Sequence, residues 1–221
     1  MTAPKVEVLA DADAVAVRAA AYVAQRAQVA VAEHGRFSFA VSGGRTPWAM
    51  FALLSERMPW QDVTLYQVDE RIAPDGDPSR NLTHLRASLP AGGSAEVRAM
   101  PVTAPDLEAA AAEYARSLPG RFDLVHLGLG PDGHTASLVP GDPVLTVTDR
   151  DVALTGEYQG QRRMTLTYPK INSSRQVLWL VTGKDKVDAL ARLRAGDHSI
   201  PAGHIKAERQ LVVADAAATG S

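Results

Sequence analysis

The chain of 221 residues sets 23 Lys+Arg against 25 Asp+Glu, a formal net charge of -2, with 46% hydrophobic residues and no cysteine. That length buries a sizeable core, the balanced charge gives no reason to expect a nucleic-acid partner, and zero cysteine excludes disulfides, thiol catalysis and Cys-ligated metals. The longest unbroken apolar run, Trp48 to Leu54, has seven residues, against the roughly 20 that a membrane helix requires. The first 17 residues carry Glu7, Asp11 and Asp13 and lack the basic-then-apolar order of a signal peptide. The expectation is a cytoplasmic protein with one domain over 1–221, no membrane contact, and a monomeric or weakly homo-oligomeric state.

Val6 to Leu9 is a short apolar run, and Asp11 or Asp13 is placed to cap a long helix through about Glu33. Phe37 to Val41 is strand-like and breaks at Ser42-Gly43-Gly44. Thr46-Pro47 supplies a cap and a first-turn proline for a helix on which Trp48, Phe51, Leu54 and Met58 recur at helical spacing. Val63 to Val68 is the next strand, followed by Asp69-Glu70-Arg71, a loop from Ala73 to Arg80, and a short helix from Asn81 to Leu89. Val97 to Met100, a helix from Asp106 to Leu118, and Phe122 to Leu127 repeat the rhythm. Strands are predicted at Val152–Thr155, Met164–Thr167, Gln176–Val181 and Leu211–Ala214, with a helix from Lys184 to about Arg194. Apolar strands alternating with helices predict an α/β fold with a mainly parallel sheet. In such folds the loops at the carboxyl ends of strands build the active site.

The chemistry-bearing clusters fall at those ends. In Ser42-Gly43-Gly44-Arg45-Thr46-Pro47 the glycines allow close backbone approach, the following helix offers free N–H groups, and Arg45 suits phosphate oxygens. The same stretch also reads as an ordinary capped strand-to-helix turn, and it is not a Walker loop. Three charges in a row at Asp69-Glu70-Arg71 cannot all face a core, so at least one looks into a cleft or to solvent. Gly128-Leu-Gly-Pro-Asp-Gly133 matches G-x-G-x-x-G by letter, but Pro131 sits inside it and Pro140 follows closely, so a dinucleotide fingerprint is rejected. His134, next to this turn and near Asp132 and Thr135, is a candidate general base. A satisfied structural histidine is the alternative. His126 lies in an apolar strand and reads as buried structure. The other histidines match no metal motif. Lys184 and Lys186 begin a helix, where a lysine opposes the dipole and invites an anion, with a surface lysine on the first turn as the alternative.

In this order the clusters resemble the 6-phosphogluconolactonase family: Ser-Gly-Gly-Arg-Thr-Pro (42–47), Asp-Glu-Arg (69–71), Arg80-Asn81, Gly-Leu-Gly-Pro-Asp-Gly-His-Thr-Ala-Ser-Leu (128–138), Arg163-Met-Thr-Leu-Thr, and Thr182-Gly183 with Lys186. The resemblance implies an open Rossmann-like, mainly parallel sheet flanked by helices, of the sugar-phosphate isomerase type. It implies hydrolysis of 6-phospho-D-glucono-1,5-lactone, with that phosphorylated sugar lactone as the small-molecule partner and no cofactor or metal. His134 would be the general base and Arg71 would hold substrate and stabilise negative charge. Asp69 would orient His134 or Arg71. Gly43, Gly44, Arg45 and Thr46 would line the ligand loop, with Asn81, Asp132 and Gly133 also at the substrate. Arg163 and Lys186 would be cations for the phosphate. The chain departs from the family pattern at Arg80, at Val139 and at Tyr158-Gln-Gly-Gln161, where Lys-Pro-Pro often stands. Sugar-phosphate deaminases of the same superfamily resemble Asp-Glu-Tyr at the second cluster, where this chain has Arg71. A non-catalytic sensor would need a DNA-binding module, for which the chain has no spare basic segment.

Overall fold

The computed structural model describes residues 4–54, 58–90 and 94–220. Seven parallel strands form the main sheet: β1 (Lys5–Leu9), β2 (Phe37–Val41), β3 (Val63–Gln67), β5 (Glu96–Arg98), β6 (Leu124–Gly128), β9 (Gln176–Val181) and β10 (Arg209–Asp215). Their spatial order is β1-β10-β9-β6-β2-β3-β5, with every pairing parallel. From β2 the chain builds outward through β3 and β5, and from β6 it builds the other way. The order therefore reverses between β2 and β6, and a crevice opens at the carboxyl ends of the strands there.

Helices cover both faces because the strands are apolar on both. On β9, Leu178 and Leu180 belong to one core layer, and Val177, Trp179 and Val181 to the other. The first layer is closed by α1 (Ala12–His34) and α2 (Arg45–Ala52), the second mainly by α4 (Leu107–Ser117) and α6 (Val187–Ala195). Helix α1 starts where Asp11 accepts the Ala14 N–H at 2.8 Å and stops at Gly35 in a left-handed conformation. It buries Val15, Ala19, Val23, Ala27 and Ala30, one face of the helix. Among the described residues no helix is long and apolar enough to cross a membrane.

Several elements differ from expectation. Thr46 does not cap α2: Gly44 is the N-cap residue, with no side-chain cap bond, and α2 stops at Ala52. Of its predicted apolar positions, Leu54 and Met58 lie beyond that end. The triplet Asp69–Arg71 is itself a strand, β4, paired antiparallel with β8 (Arg163–Leu166), which pairs antiparallel with β7 (Val152–Leu154). These three make a separate small sheet, so β7 and β8 are not part of the parallel one. Val68 joins the sheets: its N–H donates to the Val41 carbonyl and its carbonyl accepts from Leu166. Helix α3 (Asn81–Ser88) agrees with expectation, while the short helices α5 (Tyr168–Asn172) and α7 (Ala216–Thr219) were not anticipated.

Candidate active site

A cleft of about 230 Å³ sits at the switch point, lined by the loops after β2 and β6, by β4 and β8, and by the residues that lead into α6. Strand alternation explains the fate of the acidic triplet. Asp69 and Arg71 share one face of β4 and line the cleft, while Glu70 points the other way and is fully buried. Its carboxylate accepts the N–H groups of Asn81 (2.7 Å), Leu82 (2.8 Å) and Arg71 (2.9 Å), and Gln67 Nε2 at 2.7 Å. Buried Arg80 lies 3.5 Å away. Glu70 thus supplies the anion that the first turn of α3 requires.

That turn sets Asn81 in the cleft wall. Its side-chain carbonyl accepts from the Arg71 guanidinium, and its amide donates to the Asp69 carbonyl at 2.9 Å. Gly43 passes so close that a Cβ there would lie 1.9 Å from Asn81 Oδ1, so the loop after β2 needs glycine at this point. Thr46 lies outside the cleft lining, and its hydroxyl meets that of Thr182 at 3.0 Å, tying the loop after β2 to the loop after β9. Arg45, the first residue of α2, is exposed and also outside the lining.

Arg71 and Arg163 are directly opposed across β4 and β8, and both line the cleft. Like charges in register repel. No carboxylate lies within ion-pair distance of either among the described residues, and the Arg163 Nε is buried without a hydrogen-bond partner. Burial pushes the Arg163 guanidinium below its ordinary value, Asp69 acts to raise it and Arg71 acts to lower it further. Lys186 reaches the same cleft while paired with Asp185 at 2.9 Å.

His134 faces these cations. Its Nδ1 lies 2.5 Å from Asp132 Oδ1, and the same oxygen accepts the His134 backbone N–H at 3.1 Å. With Nδ1–H given to the carboxylate, Nε2 carries the free lone pair. Burial acts to raise the Asp132 carboxyl, but the N–H and ring of His134 and the Tyr158 hydroxyl outweigh it, so the group lies below its ordinary range. Gly130 leaves room for this pair, since a Cβ there would fall 2.1 Å from His134 Nδ1. The carboxylate on His134 is therefore Asp132, assigned from the sequence to substrate contact. Asp69 instead accepts from the Ser137 hydroxyl at 2.7 Å. Gly133 is outside the lining and its carbonyl accepts from Ala202 at 3.0 Å.

Two contributors went unnoticed in the sequence. Tyr158, in the stretch that departs from the family pattern, reaches Asp132, His134 and Arg163. Ala136, in the cleft wall, has φ 51°, a left-handed conformation that costs a non-glycine residue about 1–3 kcal/mol.

Below the loop after β2, His126 is fully buried, as expected, and its Nδ1 accepts the Ser42 N–H at 3.3 Å. Desolvation pushes its pKa from 6.5 down to about 3, so the ring is neutral and in the Nε2–H tautomer. The native state therefore binds fewer protons than the unfolded chain, and stability is lost as pH falls from 6.5 towards 3. Between pH 6.5 and 4 the wild type is expected to lose up to about 1.4 kcal/mol per pH unit that His126→Leu retains. Urea unfolding at several pH values checks this, and parallel pH dependence in the two proteins would refute the neutral buried ring.

Comparison with known proteins shows the family and the fold. Residues 10–213 match the family described as glucosamine-6-phosphate isomerases/6-phosphogluconolactonase. A 6-phosphogluconolactonase from Synechocystis is 36% identical over 230 aligned positions, covering 95% of this chain and 94% of the relative. One from Nostoc is 34% identical over 96% of each chain. A crystal structure of a 6-phosphogluconolactonase from Shewanella baltica superposes with a TM-score of 0.86 at 28% identity, covering 96% of this chain and 98% of that one. The chain belongs to the family of glucosamine-6-phosphate isomerases and 6-phosphogluconolactonases.

Proposed function

We propose that this chain hydrolyses 6-phospho-D-glucono-1,5-lactone to 6-phospho-D-gluconate, with a water activated by His134. The observation that carries the reading is the cleft itself, where two opposed guanidiniums, without ion-paired carboxylates among the described residues, face a histidine held by an aspartate. Two guanidiniums with no ion-pair partner among the described residues call for an anionic substrate, and the free Nε2 supplies a base for water. The relatives named 6-phosphogluconolactonase support the substrate class.

In this mechanism His134 Nε2 takes a proton as the water oxygen bonds to the lactone carbonyl carbon. The carbonyl electron pair moves onto its oxygen, and Arg71 stabilises that oxyanion. Collapse re-forms the carbonyl and breaks the bond to the ring oxygen, which receives the proton from the imidazolium. Asp132 stays ionised and steadies the imidazolium between the two transfers. Arg163 and Lys186 hold the phosphate. Asp69 tempers the charge on Arg163 and so acts at one remove from the reacting atoms.

Replacing the substrate with unphosphorylated glucono-1,5-lactone is expected to lower kcat/KM by roughly 100-fold or more, since charge-assisted contacts to the phosphate are lost. Initial rates on both freshly prepared lactones, corrected for spontaneous opening, provide the check. Equal kcat/KM values would overturn the assignment of the cations to the phosphate.

A further inference from the structure

Tyr158 stands where neither the family pattern nor the core requires an aromatic residue. It opens a tight turn in which the Tyr158 N–H donates to the Gln161 carbonyl at 3.1 Å and the Gln161 N–H returns a bond at 3.3 Å. Between them Gln159 and Gly160 have φ of 53° and 77°, the two left-handed residues of a type I′ turn. Gln161 Nε2 donates to the Ser79 hydroxyl at 3.1 Å, which ties the turn to the loop before α3. Half-buried against two of the cleft residues, His134 and Arg163, Tyr158 makes three contacts. Its hydroxyl donates to Asp132 Oδ2 at 3.2 Å. Its ring meets the His134 ring edge-on at 5.6 Å between centroids. The Arg163 guanidinium lies over its face at 5.0 Å.

We propose that Tyr158 is a positioning residue that fixes base and phosphate cation relative to each other. The hydroxyl holds the outer oxygen of Asp132, leaving the inner one for His134. The ring face seats Arg163, which has no hydrogen-bonding side-chain partner of its own among the described residues. A guanidinium over an aromatic face keeps its planar donors free at the edge, where a phosphate oxygen would meet them.

The hydroxyl also sets the charge that His134 feels. By donating to Asp132 it draws off negative charge. Without it the carboxylate would favour the imidazolium more strongly. The other charged groups around His134 are Asp69 and Arg71 on β4, Arg163 on β8, and Lys186 before α6. Of these only Arg163 touches Tyr158, through the ring face that Tyr158→Phe retains.

The test pairs Tyr158→Phe with Tyr158→Ala and rests on the lactonase reading for its kinetic arm only. In Tyr158→Phe, kcat on freshly generated 6-phosphogluconolactone is expected to fall about three- to tenfold with KM within about twofold of wild type. The acid limb of its kcat/KM profile is expected to move to higher pH. Tyr158→Ala is expected to raise KM about tenfold as well, because the seat of Arg163 is lost. The second arm follows the Asp132 carboxyl carbon signal by NMR without substrate, and its titration midpoint is expected to move up in Tyr158→Phe, because the hydroxyl is one of the groups that hold it below its ordinary range. An unchanged midpoint overturns the role of the hydroxyl, even if the wild type proves to act on another substrate. An unchanged KM in folded Tyr158→Ala overturns the seat. Should the alanine variant fail to fold, Tyr158→Leu takes its place with the same expectation.

Discussion

His134→Ala is expected to fold as the wild type does and to lose hydrolysis by roughly 10²–10⁴-fold, the usual contribution of general base catalysis. The side chain is partly exposed in the cleft and is absent from both core layers. Its ring bonds to the Asp132 carboxylate, whose other oxygen keeps the Tyr158 hydroxyl after truncation. Unfolding midpoints near the wild-type value together with collapsed kcat are the expected pair of results. A folded variant with unchanged turnover would remove His134 from the chemistry.

Glu70→Ala is expected to have the largest effect on stability, a loss of about 3–5 kcal/mol. The substitution strips five polar neighbours of the fully buried carboxylate they share: three backbone N–H groups, the Gln67 amide and Arg80. Arg80 would stay buried, with its charge met by Asp75 alone among the described residues. The first turn of α3 would lose its anion, at a further cost of about 0.5–2 kcal/mol for an uncapped helix. Asn81 and Arg71 take their backbone positions from this carboxylate, so kcat/KM should fall even where the protein still folds. Chemical denaturation read by far-UV circular dichroism measures the stability change. A loss below about 1 kcal/mol would mean that Glu70 does not hold the cleft wall.

The parallel sheet was legible because its central strands β2, β6 and β9 are mostly apolar on both faces and run into glycine at their carboxyl ends. The clusters marked as chemical do meet there, since β2 and β6 are adjacent and the order reverses between them. The small second sheet was not legible. Val152–Leu154 and Arg163–Leu166 look the same whether they extend a parallel sheet or pair antiparallel with three charged residues. Period-two alternation would have separated Glu70 from Asp69 and Arg71 had the triplet been recognised as a strand. Its partners, however, come from Gln67 and from the start of α3, which no local pattern couples to it.

Two further differences have local causes. Thr46-Pro47 carries the composition of a helix start, yet Gly44 takes the N-cap position. Thr46 instead spends its hydroxyl on Thr182, a contact that depends on β9 lying two strands from β2. Asp132, not Asp69, meets His134 because a residue two positions away in a tight turn reaches the ring directly. Asp69 is drawn to Ser137 by its register opposite Thr165, whose hydroxyl accepts the Ser137 N–H at 3.4 Å.

We propose hydrolysis of a phosphorylated sugar lactone by a histidine–aspartate pair beside two opposed arginines. Its most direct measurement is the initial rate of acid release from freshly generated 6-phosphogluconolactone with the wild-type protein, against spontaneous opening in the same buffer. Acceleration proportional to enzyme concentration, with 6-phosphogluconate as product, is the expected result. A rate indistinguishable from spontaneous opening, from protein shown to be folded, would contradict it.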